Sequence, residues 1–447
     1  MTTQRILVIG GGYVGMYTAL RLQKKLRRGE AEVTVVDPRS YMTYQPFLPE
    51  AAAGSLSPRH VVVPLRPLLR ECRVVTGWVT GVDHAKRTAQ IRPLEGSDYE
   101  LPYTLLVVAA GSVARTLPIP GLAEAATGFK TVEEAIQLRN RVLECLDIAE
   151  STRDPDVRRR NLTFVVVGGG YAGVEALAEL ADLTRYATRN YASIKRDDLR
   201  WLLVEASDRI LPEVDRDMGE YTLEQLRSAG IDVRLRTRLE SVAGGRAVLS
   251  DGDSFAADTV VWTAGVRPHP VLERLGLPLS ETGRLVVSET LQVPGEPDVF
   301  GAGDCCAVPD LTGEPGALCS PSAQHAVRQA GQLADNAIAR LRGFNPRPYR
   351  HKHAGSVASL GLHKGVAQVY GVKLRGWPAW FMHRTYHVSR VPTFNRKVRV
   401  IAEWTLALFF RREVVSLWAI HEPFESFSSA VQQRDVPPAQ GEASGAS

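Results

Sequence analysis

Short runs of consecutive apolar residues alternate with longer segments in which apolar and polar positions mix at helical spacing. Residues 6–9, 105–109, 164–167 and 201–204 are wholly apolar runs, as expected for parallel strands that are buried on both faces. The run at 6–9 is followed by a segment of helical periodicity that extends to about residue 26. Strand and helix signals that follow each other in this way predict an α/β fold.

A glycine-rich turn joins the first apolar run to its helix. Three glycines stand in the spacing GxGxxG, and the next apolar run ends in a carboxylate. In such a turn the first glycine makes the bend, the second lets a pyrophosphate approach the backbone, and the third lets helix and strand pack closely. The terminal acid can accept hydrogen bonds from a ribose diol. The residues predicted to bind a dinucleotide here are Gly10, Gly12, Tyr13, Val14, Gly15 and Asp37.

The same turn recurs after residues 164–167, and the apolar run at 201–204 again ends in a carboxylate. Its predicted dinucleotide-binding residues are Gly168, Gly170, Tyr171, Ala172, Gly173 and Glu205. A polar insertion at residues 182–198 accounts for the longer distance between glycines and acid. Two complete fingerprints imply two dinucleotides, usually a resident flavin and an exchanging nicotinamide. Glu205 favours NADH over NADPH, because a carboxylate repels a 2′-phosphate.

Further strand ends carry small residues that let the backbone pass close to a ligand. One apolar strand ends in Ala110 and Gly111, and a similar segment after the second fingerprint contains Gly265. The stretch 297–310 delivers Asp304 to a turn, where an acid can bind a ribityl hydroxyl of a flavin. The alternative for Asp304 is a helix cap. We expect Ala110, Gly111 and Asp304 to contact FAD, and Gly265 to contact NADH.

Charge and cysteine content narrow the class of protein. The net charge is +5, but between residues 340 and 412 the only acidic residue is Glu403. This basic stretch suits an anionic partner such as a membrane surface, nucleic acid or an acidic protein, or it is simply a solvated surface. No nucleic-acid-binding motif accompanies it, so we expect no nucleic acid partner. The five cysteines form no CxxC pair, which indicates a reducing cytosol, and we expect no metal site.

Two C-terminal segments predict amphipathic helices. WPAWFMHRTYH places Trp377, Trp380, Phe381 and Arg384 on one helical stripe, and NRKVRVIAEWTLALFFRR combines a basic start with an apolar stretch around Trp404. Tryptophan beside arginine and lysine is typical of a helix that lies in a membrane interface. The alternative is an ordinary helix that packs its aromatic residues on the core. The segments are too short to span a bilayer.

Three stretches are more specific than the glycine loops. They are YQPFLPEAAAGSL at residues 44–56, the Gly-Val-Glu that ends at Glu175, and SAQHAVRQA at residues 322–330. With them the chain to about Glu413 resembles the type II NADH dehydrogenases, single-chain FAD-containing NADH:quinone oxidoreductases. The last stretch is similar to the family motif AQxAxxQG and departs from it at Ala330, where glycine is common.

The resemblance implies FAD in the first loop, NADH in the second and a membrane quinone as electron acceptor. It makes Glu175, Gln324 and His383 candidate catalytic residues. Glu175 and Gln324 would lie near the flavin and quinone, and some family members carry a lysine near the position of His383. Ala323 and Gln324 become additional FAD contacts. A hydride would pass from NADH to FAD, and two electrons from there to the quinone, without proton pumping.

The implied architecture is two Rossmann-like dinucleotide-binding domains plus a C-terminal α+β region with amphipathic, membrane-associating helices. We expect a discontinuous FAD-binding domain at 1–125 and 290–345, and an NADH-binding domain at 126–289. Residues 346–434 would form the membrane-association and quinone-side region, followed by a disordered tail at 435–447. The resemblance also implies a homodimer, attached peripherally to the cytoplasmic face of the cell membrane.

Three other functions remain open from the sequence. A sulfide:quinone oxidoreductase shares the fold but needs redox-active cysteines at the flavin, and Cys305, Cys306 and Cys319 form no obvious spaced pair. A soluble NADH-dependent diaphorase would use another acceptor and would not need the C-terminal helices. A non-catalytic flavoprotein would bind NADH to change its partners.

Overall fold

The computed structural model describes residues 3–352 and 354–416, whose strands and helices alternate along the chain. The first part contains β1 (Gln4–Ile9), α1 (Tyr13–Lys25), β2 (Ala31–Asp37), β3 (Tyr41–Thr43), α2 (Leu48–Ala52), β4 (Val62–Pro64), α3 (Leu65–Leu68), β5 (Arg73–Asp83), β6 (Thr88–Pro93), β7 (Tyr99–Pro102), β8 (Leu105–Val108), β9 (Ser112–Ala114) and α4 (Leu122–Ala125). The middle part contains β10 (Ala126–Gly128), α5 (Val132–Ser151), α6 (Pro155–Asn161), β11 (Thr163–Val167), α7 (Tyr171–Ala187), β12 (Arg200–Val204), α8 (Arg216–Ser228), β13 (Asp232–Arg234), β14 (Leu239–Ser241), β15 (Arg246–Leu249), β16 (Ser254–Ala256), β17 (Thr259–Trp262), β18 (Val266–Pro268) and β19 (Leu285–Val286). The last part contains β20 (Gln292–Val293), β21 (Glu296–Gly301), β22 (Cys306–Ala307), α9 (Ala323–Leu341), β23 (Gly355–Ser359), β24 (Gly365–Val369), β25 (Val372–Arg375), α10 (Trp377–Arg390) and α11 (Phe394–Leu406).

An eight-stranded sheet forms the first layer, in the order β20-β21-β8-β1-β2-β5-β6-β7. Its central strands β21, β8, β1, β2 and β5 are parallel, with Ile6 opposite Val33 on one side and Leu105 on the other. The residues of β8 are all buried, as the apolar run predicts. Strands that are far apart in sequence meet in this sheet, because β20 and β21 join the edge beside β8.

A five-stranded parallel sheet repeats the same arrangement, in the order β10-β17-β11-β12-β13. Its centre is β11, in which every residue is buried. In both sheets the central strand leads through a glycine loop into a helix, and its neighbour on one side is the next long strand of the chain. Ligands bind at the carboxyl ends of such strands, where the strand order reverses. The α/β fold and both strand-glycine-helix units of the sequence prediction are therefore confirmed.

The C-terminal part is an antiparallel sheet, β23-β24-β25, with α10 packed against it and α11 following. The α+β character predicted for this region is confirmed. Helix α11 begins after Thr393, whose side chain accepts a hydrogen bond from the Arg396 N–H at 3.3 Å. No helix within residues 3–352 and 354–416 combines the length and apolar character needed to cross a bilayer. The predicted tail at 435–447 lies outside the described residues.

The predicted aromatic stripe of α10 does not behave as one surface. Trp377 and Phe381 are exposed and stack on each other at 5.4 Å, whereas Trp380 is buried. The guanidinium of Arg384 lies over the rings of Trp380, at 4.3 Å, and Trp404, at 4.6 Å. The four residues keep the helical spacing that was predicted, but the sheet and α11 cover one edge of the stripe and leave the other edge open.

Candidate functional site

Two glycine loops stand at the carboxyl ends of β1 and β11 with the same internal geometry. A Cβ added to Gly15 would lie 1.8 Å from the Gly10 carbonyl oxygen, and one added to Gly173 would lie 2.0 Å from that of Gly168. The third glycine of each loop is thus required for packing of helix on turn. At the second glycine, Gly12 or Gly170, an added Cβ would meet no atom within 4 Å.

Each loop leads into a helix whose first turn is available to an anion. No side chain among the described residues caps α1 or α7, and neither helix has an acid in its first turn. The first N–H groups of a helix have no partner within the helix and lie at the positive end of its dipole. Open space over Gly12 and Gly170 together with these N–H groups fits the pyrophosphate of a dinucleotide at both loops.

A carboxylate closes each loop from the neighbouring strand. Asp37 accepts hydrogen bonds from the N–H of Gly11 at 2.6 Å and of Arg39 at 2.7 Å. Glu205 accepts equivalent bonds from the N–H of Gly169 at 2.6 Å and of Ser207 at 2.7 Å. Each carboxylate keeps lone pairs for further donors, such as a ribose diol. Burial raises the pKa of Asp37 above its usual range.

One cavity of about 1510 Å³ connects the second loop with the C-terminal helices. The residues singled out in the sequence that line it are Tyr13, Gly168, Gly170, Tyr171, Ala172, Glu175, Glu205, Gly265, Asp304, Ala323 and Gln324. The remaining ones, which do not belong to its lining, are Gly10, Gly12, Val14, Gly15, Asp37, Ala110, Gly111, Gly173 and His383. The cavity thus joins residues from three separate parts of the chain.

Asp304 lines the cavity, and a chain of hydrogen bonds that the sequence does not reveal holds its side chain there. Its carboxylate accepts a hydrogen bond from the Ser112 hydroxyl at 2.7 Å, and that hydroxyl accepts one from Lys130 Nζ at 2.6 Å. Burial lowers the pKa of Lys130. Asp304 stands between β21 and β22, and α9 is capped by Ser322 instead. The helix-cap alternative for Asp304 is therefore wrong.

The side-chain amide of Gln324 is held in one orientation by the segment that precedes β23. Its Oε1 accepts a hydrogen bond from the Ala354 N–H at 2.8 Å and lies 3.1 Å from His351 Nε2. Its Nε2 donates to the Gly355 carbonyl at 3.2 Å. A fixed amide at the start of α9 suits contact with a planar ring in the cavity, and its supporting residues lie about 30 positions further along the chain.

Glu175 lies in the second turn of α7, where its side chain points away from the glycine loop. Its Oε1 accepts a hydrogen bond from the buried Ser359 N–H at 2.8 Å and lies 3.1 Å from His383 Nε2. His383 is buried behind Glu175 and does not line the cavity. The structure therefore brings the two candidates together, with Glu175 at the wall and His383 supporting it.

The cavity ends among aromatic residues contributed by α10 and the segment before α2. Tyr44, Tyr386 and His387 line this end, and the Tyr44 hydroxyl donates to the His387 carbonyl at 3.0 Å. Burial and the nearby His383 hold the pKa of His387 well below its usual range. Tyr44 opens the YQPF stretch that the sequence singles out, whereas sequence reasoning missed Tyr386 and His387, which lie more than 340 positions further along the chain.

The cysteines of the described residues lie away from this cavity. All five cysteines are free, and none lines the cavity. Cys305 and Cys306 are buried, with their sulfur atoms 3.6 Å apart. In the part of the chain that the structure describes, no group of three or more potential metal ligands is arranged around a common point.

Comparison with known proteins agrees with this geometry. The family model of pyridine nucleotide-disulphide oxidoreductases matches residues 4–338. The type II NADH:quinone oxidoreductase Ndh of Mycobacterium tuberculosis is 30% identical over 423 residues, which cover 91% of this chain and 89% of that protein. The external alternative NADH-ubiquinone oxidoreductase of Yarrowia lipolytica mitochondria is 28% identical over 478 residues, covering 92% and 80%.

A solved structure shares the fold over nearly the whole chain. It is that of NDH2 from Plasmodium falciparum in complex with NADH, with a TM-score of 0.85 at 20% identity, covering 92% of this chain and all of that one. The family model spans well over half of the chain, and the mycobacterial relative covers almost all of it. The chain belongs to the pyridine nucleotide-disulphide oxidoreductases and, among them, to the type II NADH dehydrogenases.

Proposed function

We propose that this protein is an NADH:quinone oxidoreductase that holds FAD and does not pump protons. One observation carries the proposal: a single cavity is lined at one end by the second glycine loop and at the other by aromatic residues of α10. A nicotinamide can therefore enter at Gly170 and Glu205, and a hydrophobic acceptor at Tyr386. The names of the relatives support the same pair of substrates.

The residues of the first loop fit FAD. The open space over Gly12 and the uncapped start of α1 would receive its pyrophosphate, and Asp37 its ribose. Asp304, held by Ser112, would bind a ribityl hydroxyl. When bound, FAD supplies a site that accepts a hydride and returns two electrons to a second substrate.

The second loop binds NADH in this proposal. Gly170 and the first N–H groups of α7 receive the pyrophosphate, and Tyr171, Ala172 and Gly265 form the adjoining wall. Oε1 of Glu205 already accepts from the N–H and the hydroxyl of Ser207, whereas Oε2 accepts only from the Gly169 N–H and would take a ribose hydroxyl. A 2′-phosphate would place negative charge against this carboxylate, which is why NADH is preferred.

Gln324 and Glu175 act at the quinone end. Gln324 has its amide fixed by the 351–355 segment and orients a planar ring, while Ala323 leaves room beside it. Glu175 lies at the cavity wall and would deliver a proton to the oxygen of the reduced quinone. His383 supports Glu175 from behind at 3.1 Å. Three aromatic groups, Tyr44, Tyr386 and His387, exclude water from this end.

The cysteines argue against sulfide as the electron donor. Sulfide oxidation at a flavin needs a reactive thiol facing the ring, and Cys305, Cys306 and Cys319 do not line the cavity. Burial raises the pKa of Cys319 to about 11, which keeps this thiol protonated. The diaphorase and the non-catalytic sensor are separated from the quinone reductase by the experiment below.

Peripheral membrane attachment is part of the proposal. Trp377 and Phe381 on α10 are 56% and 52% exposed, and Phe409 and Phe410 after α11 are 78% and 68% exposed. Exposed aromatic groups next to basic ones such as Arg399 suit insertion into a lipid headgroup region. The cytoplasmic face fits a protein that uses NADH and has no paired cysteines. Co-sedimentation with anionic vesicles should fall for the double variant F409S/F410S and not for F344S, an equally exposed phenylalanine elsewhere.

The division of the chain follows from the same proposal. Residues 1–125 and 290–345 bind FAD, residues 126–289 bind NADH, and residues 346–434 provide the quinone side and the membrane contact. The two ends of the first unit meet in the eight-stranded sheet, which supports a discontinuous domain. Family resemblance alone supports a homodimer, and sedimentation velocity on the detergent-solubilised protein would test it.

The decisive experiment follows flavin absorbance without oxygen. NADH should bleach the bound flavin quickly, NADPH slowly, and a short-chain quinone should restore the oxidised spectrum. Bleaching without recovery by quinone would exclude the quinone reductase and favour another acceptor. The flavin could instead bleach quickly with one equivalent of NADH and recover quickly with one equivalent of quinone while steady-state turnover stays slow. This result would favour the non-catalytic, NADH-sensing flavoprotein. Absence of bleaching would mean that the second glycine loop does not bind NADH.

A further inference from the structure

Three carboxylates follow one face of α7 from the cavity towards the surface. Glu175, Glu179 and Asp182 stand at positions i, i+4 and i+7, which lie on one side of a helix. We call these three residues the carboxylate row. Glu175 lines the cavity, Glu179 is 4% exposed, and the side chain of Asp182 is 32% exposed. The row therefore connects the cavity wall with solvent.

The end of β23 and the turn after it bind all three carboxylates. Ser359 donates its N–H to Glu175 at 2.8 Å and its hydroxyl to Glu179 at 3.1 Å. The Leu362 N–H donates to Asp182 at 2.8 Å. An added Cβ on Gly361 would lie 2.3 Å from the Asp182 carboxylate, so this turn approaches α7 closely because of its glycine. Ser359 is thus a bridge between the first two members of the row.

Charged groups around Glu179 come from α2, from α10, from the segment after α11 and from α7 itself. Glu50 approaches from α2, and Arg384 from α10. Arg412 of the segment after α11 lies 3.8 Å away, and its own neighbours include Arg139 of α5. Within α7, Asp182 adds a further negative charge. On the cavity side, Glu175 faces His383 of α10 at 3.1 Å.

These surroundings favour a proton on Glu179. Burial and the negative charge of Glu50 raise its pKa to about 7, although Arg412 acts in the opposite direction. Near neutral pH Glu179 can therefore gain or lose a proton at little cost, which is the property a proton store requires.

The proton balance of the proposed reaction has room for such a store. NADH, quinone and one proton give NAD⁺ and quinol, so each turnover draws one proton from solvent. We propose that Glu179 is a positioning residue for quinone reduction: as the i+4 neighbour of Glu175 on α7 it passes one proton to the Glu175 carboxylate, which delivers it to the quinone oxygen at the cavity wall. The hydroxyl and the N–H of Ser359 hold the two carboxyl groups in place for this transfer. The proton is replaced from solvent past Asp182. This inference rests on the proposed function.

The main variants are E179Q, S359A and E179D, with E220Q as a control at an exposed acid of α8. We expect kcat for quinone reduction at pH 7 to fall roughly tenfold in E179Q and S359A, less than the about 10²-fold cost of losing a direct proton donor. In the wild type, kcat for quinone reduction should change with pH near pH 7. This pH dependence should be absent in E179Q and present again in E179D. Anaerobic bleaching by NADH should be unchanged in all of them, because hydride transfer takes no proton from the row.

Infrared spectroscopy gives a readout that does not depend on turnover. The wild type should show the C=O stretch of a protonated glutamate that titrates near pH 7 and shifts with ¹³C-glutamate labelling. S359A should keep this band, and E179Q should lose it. A band that persists in E179Q, or an E179Q pH profile equal to that of the wild type, would overturn the role of Glu179. If E179Q does not fold, an S359A profile equal to that of the wild type overturns it. Wild-type flavin that quinone cannot reoxidise would instead refute the proposed function.

Discussion

Replacement of single glycines in the second loop tests whether packing and ligand approach are separate tasks. Gly173→Ala places a Cβ 2.0 Å from the Gly168 carbonyl oxygen and 2.6 Å from Thr263 Oγ1. Thr263 cannot turn away without loss, since its hydroxyl donates to the Val167 carbonyl at 2.8 Å. Gly170→Ala, three residues earlier, places its Cβ where no atom lies within 4 Å.

The sign of each effect follows from these distances. At Gly173 the contact is roughly 1.4 Å short of ordinary van der Waals contact, which begins near 3.4 Å, and relief of such overpacking costs about 1–3 kcal/mol or more. Alanine within α7 regains about 1 kcal/mol of helix propensity. Because the clash is with a backbone oxygen, the cost lies at the upper end, about 3 kcal/mol. The net loss is then about 2 kcal/mol, so G173A should melt roughly 4–8 °C below the wild type, at about 2–4 °C per kcal/mol. The backbone at Gly170 is extended, with φ of −74°, and the equivalent Gly12 of the first loop has φ of −71°. Alanine adopts such a conformation without strain.

The assay pairs a melting curve with NADH titration under anaerobic conditions. G170A should melt within about 2 °C of the wild type, which corresponds to less than about 1 kcal/mol, yet bind NADH at least about tenfold more weakly, because its methyl group occupies the approach of the pyrophosphate. G173A should show the opposite pattern, in which the melting temperature changes more than the affinity for NADH. Unchanged NADH affinity in G170A would refute the placement of the nucleotide over this glycine. Equal melting of G173A and wild type would refute the packing argument.

Three further outcomes follow from single contacts. E205Q should reduce the preference for NADH over NADPH roughly tenfold by removing the repulsion of a 2′-phosphate, and an unchanged ratio of kcat/KM values would contradict this. W404F removes the indole donor that binds Glu50 at 2.7 Å and should cost about 1–3 kcal/mol, seen as a lower melting temperature than for W78F at a half-exposed site. Because the folded pKa of Glu179 is raised from 4.5 to about 7, stability should decline by about 3 kcal/mol as pH rises from 4.5 to above 7. Urea unfolding of E179Q over this range should lack that decline.

The glycine loops and their strands could be predicted because each signal is contiguous. Residues 6–9 and 164–167 are apolar on every position, and the residues after them have the spacing that a turn into a helix needs. The structure places them in β1 and β11, at the centre of their sheets. Local sequence also located Glu175 on its helix, but not the direction in which its carboxylate points.

The supporting contacts could not be predicted because they join distant parts of the chain. Ser112 binds Asp304 across 192 positions, and Ser359 binds Glu175 across 184. Helical periodicity predicts that Trp377 and Trp380 lie near one face of α10, but it does not predict which elements pack against that face. Close approach of β24, at Gly365, to the Trp380 backbone decides that only one of them is buried.

Buried charge connects α10 and α11 with the wall of the cavity. Glu50 of α2 accepts the Trp404 indole N–H of α11 and lies 3.4 Å from Arg384 of α10. The residues just before Glu50 line the cavity, and α10 also lines it from the other side. Removing one partner of such a buried pair leaves an uncompensated charge and costs several kcal/mol. The surface proposed to meet the bilayer is therefore tied, through Glu50, to the wall of the cavity that Leu48 and Pro49 line.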